Sequence, residues 1–182
     1  SLYQSYKWDN TFDFLNFICY NRYASKGIGE IIVKSKEEKT NAIRLIEQKK
    51  LAFKVHDYSN SDVISGPQVA AYLNENPDRV FKTLVTVGKS NEHYVFLVPV
   101  NKELDLKKAA QAVGEKNISM IKSKELLPLT GYIHGGCSPI GMKKFFSTII
   151  DASAKNFDEI IFSAGKIGFQ IEMHLSDLEK II

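Results

Sequence analysis

Cysteine is scarce in this sequence, and patterns that bind metal ions are missing from it. The 182 residues include two cysteines, Cys19 and Cys137, and neither belongs to a CxxC pair. Two isolated thiols supply neither a zinc site nor a disulfide framework. No two of the four histidines stand at HxxxH spacing; they are His56, His93, His134 and His174. We therefore expect a cytoplasmic chain with reduced thiols and no metal site.

Signatures of nucleotide binding, secretion and membrane insertion are also missing. There is no GxGxxG after a predicted strand and no GxxxxGK[ST], so neither a dinucleotide nor a nucleoside triphosphate is expected. The first residues lack the basic start and continuous apolar core of a signal peptide. Polar residues such as Asp9 and Asp13 interrupt the apolar stretches of residues 1–33, which excludes a membrane span there. We expect no cofactor and no membrane partner.

The composition is that of an ordinary globular domain. Apolar residues make up 44% and charged residues 25% of the chain, which excludes disorder. A chain of this length can bury about two thirds of its unfolded surface, so its core needs no covalent support. The net charge of +3 is too small to predict DNA binding. It is compatible with an enzyme that contacts a short stretch of nucleic acid.

The first 33 residues differ from the rest of the chain. They carry a heavy aromatic load without clear periodicity, namely Tyr3, Tyr6, Trp8, Phe12, Phe14, Phe17, Tyr20 and Tyr23. This segment could be a docking arm for another protein or an N-terminal extension that packs on the domain surface. We favour an extension of unknown role, and we assign residues 34–182 to a single domain.

Regular structure is predicted beyond this segment. Ser35 and Glu38 have capping-box spacing, which predicts a first helix ending near residues 48–50. Pro128 is expected to close a short helical turn, and a final helix is expected after Ser176. Strands are predicted at 52–58, 80–87, 93–98, 118–121, 147–152, 159–163 and 168–174, and further helices after Ser65 and Asp105. Several strands are joined by hairpins, which predicts a mixed α/β fold with a largely antiparallel sheet and helices packed outside it.

Lys82 is the least expected residue of the predicted strands. It lies in the middle of a strand, on the face that it shares with Val80 and Leu84. A lysine among inward apolar neighbours is unfavourable unless its ammonium reaches an acceptor or the mouth of a pocket. The other interpretation is that this face is solvated, or that the side chain extends along it to water.

Two loops contain small residues at a density that suits a binding site. Residues 130–141 include four glycines, whose main-chain N–H groups can approach a carboxylate, a phosphate or a developing oxyanion closely. Residues 163–166 form a small-residue turn between two predicted strands, which could line the edge of a pocket. Either loop could also be a purely structural turn. Cys137 is interpreted as a packing residue rather than a nucleophile, because no histidine or cation is fixed beside it by the sequence.

Four segments together carry a resemblance. They are Phe81-Lys82-Thr83-Leu84, Thr130-Gly-Tyr-x-x-Gly-Gly-x-Ser-Pro-x-Gly141, Thr148-Ile-Ile-Asp-Ala152 and Ser163-x-Gly165. Their order and approximate spacing resemble the YbaK/EbsC family from about residue 40 to residue 182. The members of this family are free-standing relatives of the editing domain of prolyl-tRNA synthetases. Residues 34–182 are therefore expected to form a YbaK-type aminoacyl-tRNA editing domain.

The resemblance implies a fold and an activity. The fold is a compact mixed α/β domain with a curved, barrel-like sheet. The activity is trans-editing, the hydrolysis of the ester of a mischarged tRNA, with Cys-tRNA(Pro) as the main substrate and Cys-tRNA(Cys) as a second one. An ester is already activated, so positioning and oxyanion stabilisation can supply much of the acceleration. The resemblance further implies that the thiol of the substrate attacks its own ester carbonyl.

The resemblance also implies the residues of the site. Lys82 would contact the 3′-terminal nucleotide or the aminoacyl group, and main-chain N–H groups at Gly135 and Gly136 would hold the oxyanion. The expected substrate-binding residues are Tyr58, Thr83, Ser138, Ser163, Gly165 and Gln170. Gln170 departs from the acidic residue that relatives often carry at this position, so the charge of a carboxylate is lost there.

The expected partner is the 3′ acceptor end of a mischarged tRNA. A prolyl- or cysteinyl-tRNA synthetase that hands over the charged tRNA is a second expected partner, and DNA is not one. Two alternatives stay open: a deacylase for another small amino acid, such as alanine on tRNA(Pro), or an idle protein that binds tRNA or a synthetase as an adaptor. Gln170 favours the adaptor, whereas Lys82 and the glycine-rich loop favour the enzyme.

Overall fold

The computed structural model describes residues 17–20 by their backbone and residues 39–182 in full. Within these ranges the chain forms eight strands and five α-helices. In chain order they are β1 (Phe17–Tyr20), α1 (Asn41–Gln48), β2 (Lys54–Asp57), α2 (Gly66–Tyr72), β3 (Val80–Gly88), β4 (His93–Pro99), α3 (Leu106–Ala112), β5 (Ile118–Met120), α4 (Ser123–Thr130), β6 (Ser147–Asp151), β7 (Glu159–Ser163), β8 (Phe169–His174) and α5 (Leu175–Leu178). None of the described helices combines the length and the hydropathy that a bilayer crossing requires.

The strands form one mixed sheet. Its order is β1-β6-β4-β3-β7-β8-β2, and β5 pairs with β3 outside this path. The β4–β6 and β3–β7 pairs are parallel, and the other described pairs are antiparallel. These pairings confirm the predicted mixed α/β fold with a largely antiparallel sheet. The hairpins β3–β4 and β7–β8 are both among those that the sequence predicts.

Strand β3 shares one of its edges between two partners. β7 pairs with its start at Val80 and Phe81, and β5 pairs with its end from Thr86 to Gly88. The opposite edge pairs with β4 from Phe81 to Val87. A gap therefore opens beside residues 82–84, between the end of β7 and the end of β5.

The sheet is covered by apolar side chains on both faces. The main cluster joins one face to α1 and α4 and includes Phe81, Phe162 and the helix residue Ile46. On the opposite face, Phe96 packs against α3 in a second cluster, and Val80 packs against α2 in a third. Full burial of one such side chain stabilises the fold by about 1.5–3 kcal/mol. Strand β3 contributes to all three clusters, so its position is fixed from both sides.

Local hydrogen bonds explain where two helices begin. Thr40 Oγ1 accepts a hydrogen bond of 3.2 Å from the Ile43 N–H, and α1 accordingly starts at Asn41. The predicted capping box of Ser35 and Glu38 lies outside the described residues. The side chain of Asp105 caps α3, as the sequence predicts.

Two helix boundaries differ from the prediction. Pro128 does not close a helical turn but lies inside α4, which ends at the left-handed Gly131 with φ 81°. Proline removes one N–H, but the carbonyl that it leaves unpaired belongs to the exposed Lys124 and can bond to solvent. Helix α5 begins at Leu175, before Ser176 rather than after it.

Part of the predicted N-terminal extension belongs to the sheet. Residues 17–20 form β1 and pair antiparallel with β6, with Phe17 opposite Asp151. The rest of residues 1–33, and the boundary at residue 34, lie outside the described residues. The division into an extension and a domain therefore stays a prediction.

Candidate active site

A cavity of about 300 Å³ fills the gap beside β3. It is bounded by β3, by the end of β7 at Ser163 and by the end of β5 at Met120. Six of the predicted site residues line it, and they are Tyr58, Lys82, Thr83, Gly135, Ser163 and Gln170. The fold thus brings together residues that lie as many as 112 positions apart in the sequence.

Lys82 reaches the cavity from the middle of β3. Its neighbours on the same face, Val80 and Leu84, pack into two separate apolar clusters, so the predicted apolar surroundings are present. The Lys82 side chain is 26% exposed, and its Nζ lies 3.0 Å from Oε1 of Glu103. The Glu103 side chain is 94% exposed, and ion pairs of this kind contribute little to stability. The ammonium can therefore exchange Glu103 for an anionic or polar ligand at low cost.

Gln170 and Tyr58 form a buried polar wall of the cavity. Gln170 Nε2 donates to the Tyr58 hydroxyl at 3.1 Å. Ser163 lies opposite Gln170 in the β7–β8 ladder, and its Oγ accepts a hydrogen bond from the Gly165 N–H at 3.2 Å. Because the amide of Gln170 carries no charge, this wall can bind a ligand by hydrogen bonds but not by an ion pair.

Thr83 presents a polar atom that the protein leaves unbonded. Its Oγ1 is buried and has no hydrogen-bond partner among the described residues. Buried side-chain oxygens in native proteins are bonded in the large majority of cases. This oxygen has almost no accessible surface, so a ligand in the cavity would contact it only after a neighbouring side chain moved.

The glycine-rich loop after α4 is anchored by its own tyrosine. The Tyr132 N–H donates to Thr130 Oγ1 at 3.0 Å, and the Tyr132 hydroxyl donates to the Ile140 carbonyl at 2.6 Å. Between these anchors Gly135 adopts φ 81° and lines the cavity. Within the described residues its N–H has no partner, so one main-chain donor of this loop is free to meet a ligand.

Three of the predicted site residues lie outside the cavity lining, and they are Gly136, Ser138 and Gly165. The Gly136 N–H donates to the Ile133 carbonyl at 3.0 Å, and a Cβ there would lie 3.0 Å from the main-chain nitrogen of Ile167. Gly136 thus lets the loop approach the β7–β8 connection. The oxyanion role that the resemblance implies for its N–H would require this hydrogen bond to open.

Cys137 lines the cavity but is not prepared to act as a nucleophile. Burial raises the pKa of its thiol to about 12, and a hydrogen bond with the Thr130 side chain offsets only part of that shift. The thiolate is the reactive form, so this thiol stays protonated and unreactive near neutral pH. The geometry agrees with its interpretation as a packing residue.

An ionic network follows the cavity on the same face of β8. Oxygens of the Glu172 carboxylate lie 2.5 Å from Arg79 Nη2, 2.7 Å from His56 Nε2 and 3.5 Å from Lys54 Nζ. Burial opposes the negative charge, but the hydrogen bonds and the positive charges together lower the pKa of Glu172 to about 2. Ligand atoms of His56, Glu75 and Glu172 lie within 4.8 Å of one another. A metal ion at this point would have to displace the guanidinium of Arg79, which already supplies the positive charge.

Sequence reasoning missed the apolar rim of the cavity. Ile64 and Met120 line it although they are 85% and 46% exposed. His134, one of the four histidines without HxxxH spacing, also lines it. The sequence offered one signal for this rim, namely the prediction that a strand ends close to Met120. The pairing of that strand with β3 could not be predicted from the sequence.

Comparison with known proteins identifies relatives across most of the chain. The profile of the aminoacyl-tRNA editing domain family matches residues 62–181. The chain is 48% identical over 141 residues to the Enterococcus faecalis protein named “Putative Cys-tRNA(Pro)/Cys-tRNA(Cys) deacylase EbsC”. That alignment covers 77% of this chain and 86% of the relative.

Two further matches are more distant. The chain is 28% identical over 105 residues to a proline–tRNA ligase of Pelobacter propionicus, which covers 58% of this chain but only 18% of the ligase. Among solved structures, that of a hypothetical protein has a TM-score of 0.70 at 18% identity, covering 76% of this chain and 91% of that one. At this identity the structural match supports the fold alone.

Proposed function

This chain belongs to the aminoacyl-tRNA editing domain family, and from that premise we propose that it deacylates mischarged tRNA in trans. The proposed main substrate is Cys-tRNA(Pro), and Cys-tRNA(Cys) is a second one. The observation that carries the proposal is the cavity beside β3. It places the cation of Lys82, the free main-chain donor of Gly135 and the polar wall of Tyr58 and Gln170 around a chamber of about 300 Å³. That volume lies at the lower end for small-molecule sites and suits an aminoacyl group.

The chemistry assigned to the protein is positioning rather than nucleophilic attack. Cys137, the one thiol among the residues that line the cavity, is held protonated by burial. The thiol of the substrate attacks its ester carbonyl carbon instead. A sulfur–carbon bond forms, the bond from that carbon to the ribose oxygen breaks, and the thiol proton ends on the ribose oxygen. Water then opens the cyclic thioester to free cysteine.

Two groups of the protein act on this step in the proposal. Lys82 binds the terminal nucleotide or the aminoacyl group with its ammonium, and the Gly135 N–H donates to the oxygen that becomes negative as sulfur attacks. A small chamber excludes larger side chains. Size alone discriminates one methylene by about 1–3 kcal/mol, so participation of the thiol adds a selection that size cannot provide.

Contact with tRNA would extend beyond the cavity along α4. Lys122 and Lys124 flank Ser123, which lines the cavity, and neither forms an ion pair within the described residues. They offer charge to the phosphates of the acceptor end. With a net charge of only +3, the protein is expected to bind tRNA weakly by itself and to receive it from a prolyl- or cysteinyl-tRNA synthetase. Tight, salt-sensitive binding of tRNA to the isolated protein would contradict this arrangement.

The test is deacylation of labelled Cys-, Ala- and Pro-tRNA(Pro) by the wild type and by Lys82→Ala. Selective release of cysteine is expected. Hydrogen bonds to charged groups contribute about 1.5–3 kcal/mol, so Lys82→Ala should lower kcat/KM about 10- to 150-fold. Glu103→Gln is the matched control, because it removes only the exposed partner of Lys82 and should change kcat/KM less than twofold.

The other outcomes of this assay would redirect the proposal. Release of alanine without release of cysteine would support a deacylase but would show that its substrate is alanyl-tRNA(Pro). If no amino acid were released, the deacylase hypothesis would be contradicted and the adaptor hypothesis favoured. The next variant to assay would carry an acid at position 170 in place of Gln170.

A further inference from the structure

Every second residue of β3 turns its main chain toward β4. The Val80 carbonyl accepts a hydrogen bond from the Val100 N–H at 2.8 Å, and the Gly88 N–H donates to the Glu92 carbonyl at 2.8 Å. In an antiparallel pair such hydrogen-bonded positions alternate with non-bonded ones. The even-numbered residues of β3 therefore bond to β4, and the odd-numbered residues turn their N–H and C=O groups to the opposite edge.

On that opposite edge, neither β7 nor β5 extends to the middle of β3. Phe81 pairs with β7, whose ladder with β3 stops there, opposite Phe162. The Val85 carbonyl accepts from the Ile121 N–H at 3.3 Å, where the pairing with β5 begins. Thr83 lies between them. Its main-chain N–H and C=O consequently have no hydrogen-bond partner within the part of the chain that the structure describes.

The cavity occupies the place where a strand opposite Thr83 would run. It is lined by Thr83 itself and by Ser163 and Met120, the last residues of the two flanking strands. One main-chain donor and one main-chain acceptor, both in the plane of the sheet, therefore point into it. Backbone N–H and C=O groups of native proteins are almost always bonded to protein or to water, so a ligand that enters the cavity can take up both bonds of this pair by displacing water.

We propose that the main chain of Thr83 binds the aminoacyl group of the substrate as if that group were a residue of an antiparallel strand. The α-ammonium donates to the Thr83 carbonyl, and the Thr83 N–H donates to the ester carbonyl. An aminoacyl ester has the same N–Cα–C=O unit as a strand residue, and two residues in a hydrogen-bonded antiparallel pair exchange both of these bonds. This inference rests on the proposed function and names the part of the substrate that the bare edge recognises.

The pairing also fixes where the amino-acid side chain lies. Residues directly opposite each other in a sheet place their side chains on the same face. Thr83 shares its face with Phe81 and Val85, which line the cavity together with Leu126 and belong to the main core cluster. The substrate side chain therefore meets these apolar walls. The two main-chain hydrogen bonds are the same for every α-amino acid. Selection among amino acids therefore depends on how each side chain fits against the apolar walls of the cavity.

Residue-resolved amide hydrogen exchange of the full chain tests the inference. The probe is 3′-cysteinylamino-3′-deoxyadenosine, a stable amide that keeps the α-ammonium and the carbonyl. In the free protein the Thr83 amide should exchange much faster than those of Lys82 and Leu84, which bond to β4. Saturation with the probe should slow exchange at Thr83 at least tenfold, to a rate close to that of the neighbouring amides that bond to β4. Saturation without a change at Thr83 overturns the inference and leaves the proposed function standing.

A second probe isolates the α-ammonium. The 3-mercaptopropionyl analogue keeps the thiol and the carbonyl but lacks the amino group, and we expect it to bind at least tenfold more weakly. Equal affinity of the two probes would also overturn the inference. If neither probe bound and the protein did not deacylate Cys-tRNA(Pro), the proposed function and this inference would both fail.

Discussion

Gln170 and Glu172 lie two residues apart on one face of β8, yet their surroundings have opposite character. Glu172 is bonded at 2.5 Å by Arg79 and lies 2.7 Å from His56, so its carboxylate is saturated. Gln170 forms one side-chain hydrogen bond, to Tyr58, and otherwise faces the cavity. The charged cluster looks more like a catalytic centre, but its carboxylate is already paired with Arg79, His56 and Lys54. Arg79 Nε is buried there without a hydrogen-bond partner among the described residues.

The two regions differ in how many of their polar groups remain available to a ligand. Around Glu172 the protein pairs its own charges, so removing one partner leaves the other less compensated, and the carboxylate has little capacity left for a ligand. Around Gln170 and Thr83 it leaves a hydroxyl and main-chain groups unbonded within the described residues. Function is therefore assigned to the region around Gln170 and Thr83, which lines the cavity, and stability to the region where the Glu172 carboxylate is paired.

Glu172→Gln should destabilise the fold strongly without removing activity from the molecules that stay folded. The change removes the shorter of the two ion pairs of Arg79 and leaves its guanidinium with Glu75 at 3.3 Å, which costs up to about 3 kcal/mol. Chemical denaturation measures the free energy of unfolding. The control is Glu159→Gln, which removes the partly exposed carboxylate that contacts Lys54 at 3.3 Å and His174 at 3.7 Å and should cost less than about 1 kcal/mol. An equal loss in the free energy of unfolding of the two variants would contradict the structural role assigned to Glu172.

Acid should weaken the fold through the same carboxylate. The pKa of Glu172 falls from 4.5 to about 2 on folding. A lowered pKa in the folded state contributes stability above the unfolded value of 4.5, and that contribution is lost as the pH falls toward 2. Denaturation between these pH values should show this loss of stability in the wild type but not in Glu172→Gln. If the free energy of unfolding fell equally with pH in both proteins, the acid sensitivity would come from other groups.

Tyr58→Phe should have a moderate effect on both stability and binding. It removes the hydroxyl that accepts from Gln170 Nε2 and leaves a buried amide donor unbonded, which costs about 1 kcal/mol. Because the pair forms a wall of the cavity, the KM for Cys-tRNA(Pro) should rise several-fold while the other walls keep their places. An unchanged KM together with lower stability would assign the pair to the structural region.

Cys137→Ala should have the smallest effect on activity. A nucleophile is indispensable, and its removal commonly costs several orders of magnitude in kcat. The buried thiol of Cys137 has a pKa of about 12, so we expect cysteine release to stay within about threefold of the wild type. Single-turnover deacylation measures this. A thousandfold loss of the deacylation rate in a folded variant would contradict attack by the substrate thiol and would indicate that Cys137 is the nucleophile.

The sequence predicted the features that depend on local pattern. Alternation along β3 placed Lys82 on a face with Val80 and Leu84, and the clusters of the structure confirm that face. The hairpins and the Asp105 cap are confirmed for the same reason, since a few neighbouring residues determine them. The family resemblance supplied the positions of Tyr58 and Gln170, which no local pattern connects.

The remaining features depend on distant contacts. The bare edge at Thr83 exists because β7 and β5 stop short of each other on β3, and that register joins segments far apart in the sequence. The Glu172 network likewise depends on the pairing of β8 with β2. Gly136 belongs to the motif of the resemblance, but its N–H is bonded within the loop, a detail that only the three-dimensional structure reveals.

The most direct test of this account measures the rate of cysteine release from Cys-tRNA(Pro), per folded molecule, for the wild type, Lys82→Ala and Glu172→Gln side by side. The account predicts that the wild type and Glu172→Gln release cysteine at similar rates, and that Lys82→Ala is slower by about 10- to 150-fold although it unfolds like the wild type. A wild-type rate in Lys82→Ala together with an inactive but folded Glu172→Gln would contradict it, and would move the active site from the bare edge of β3 to the ionic network.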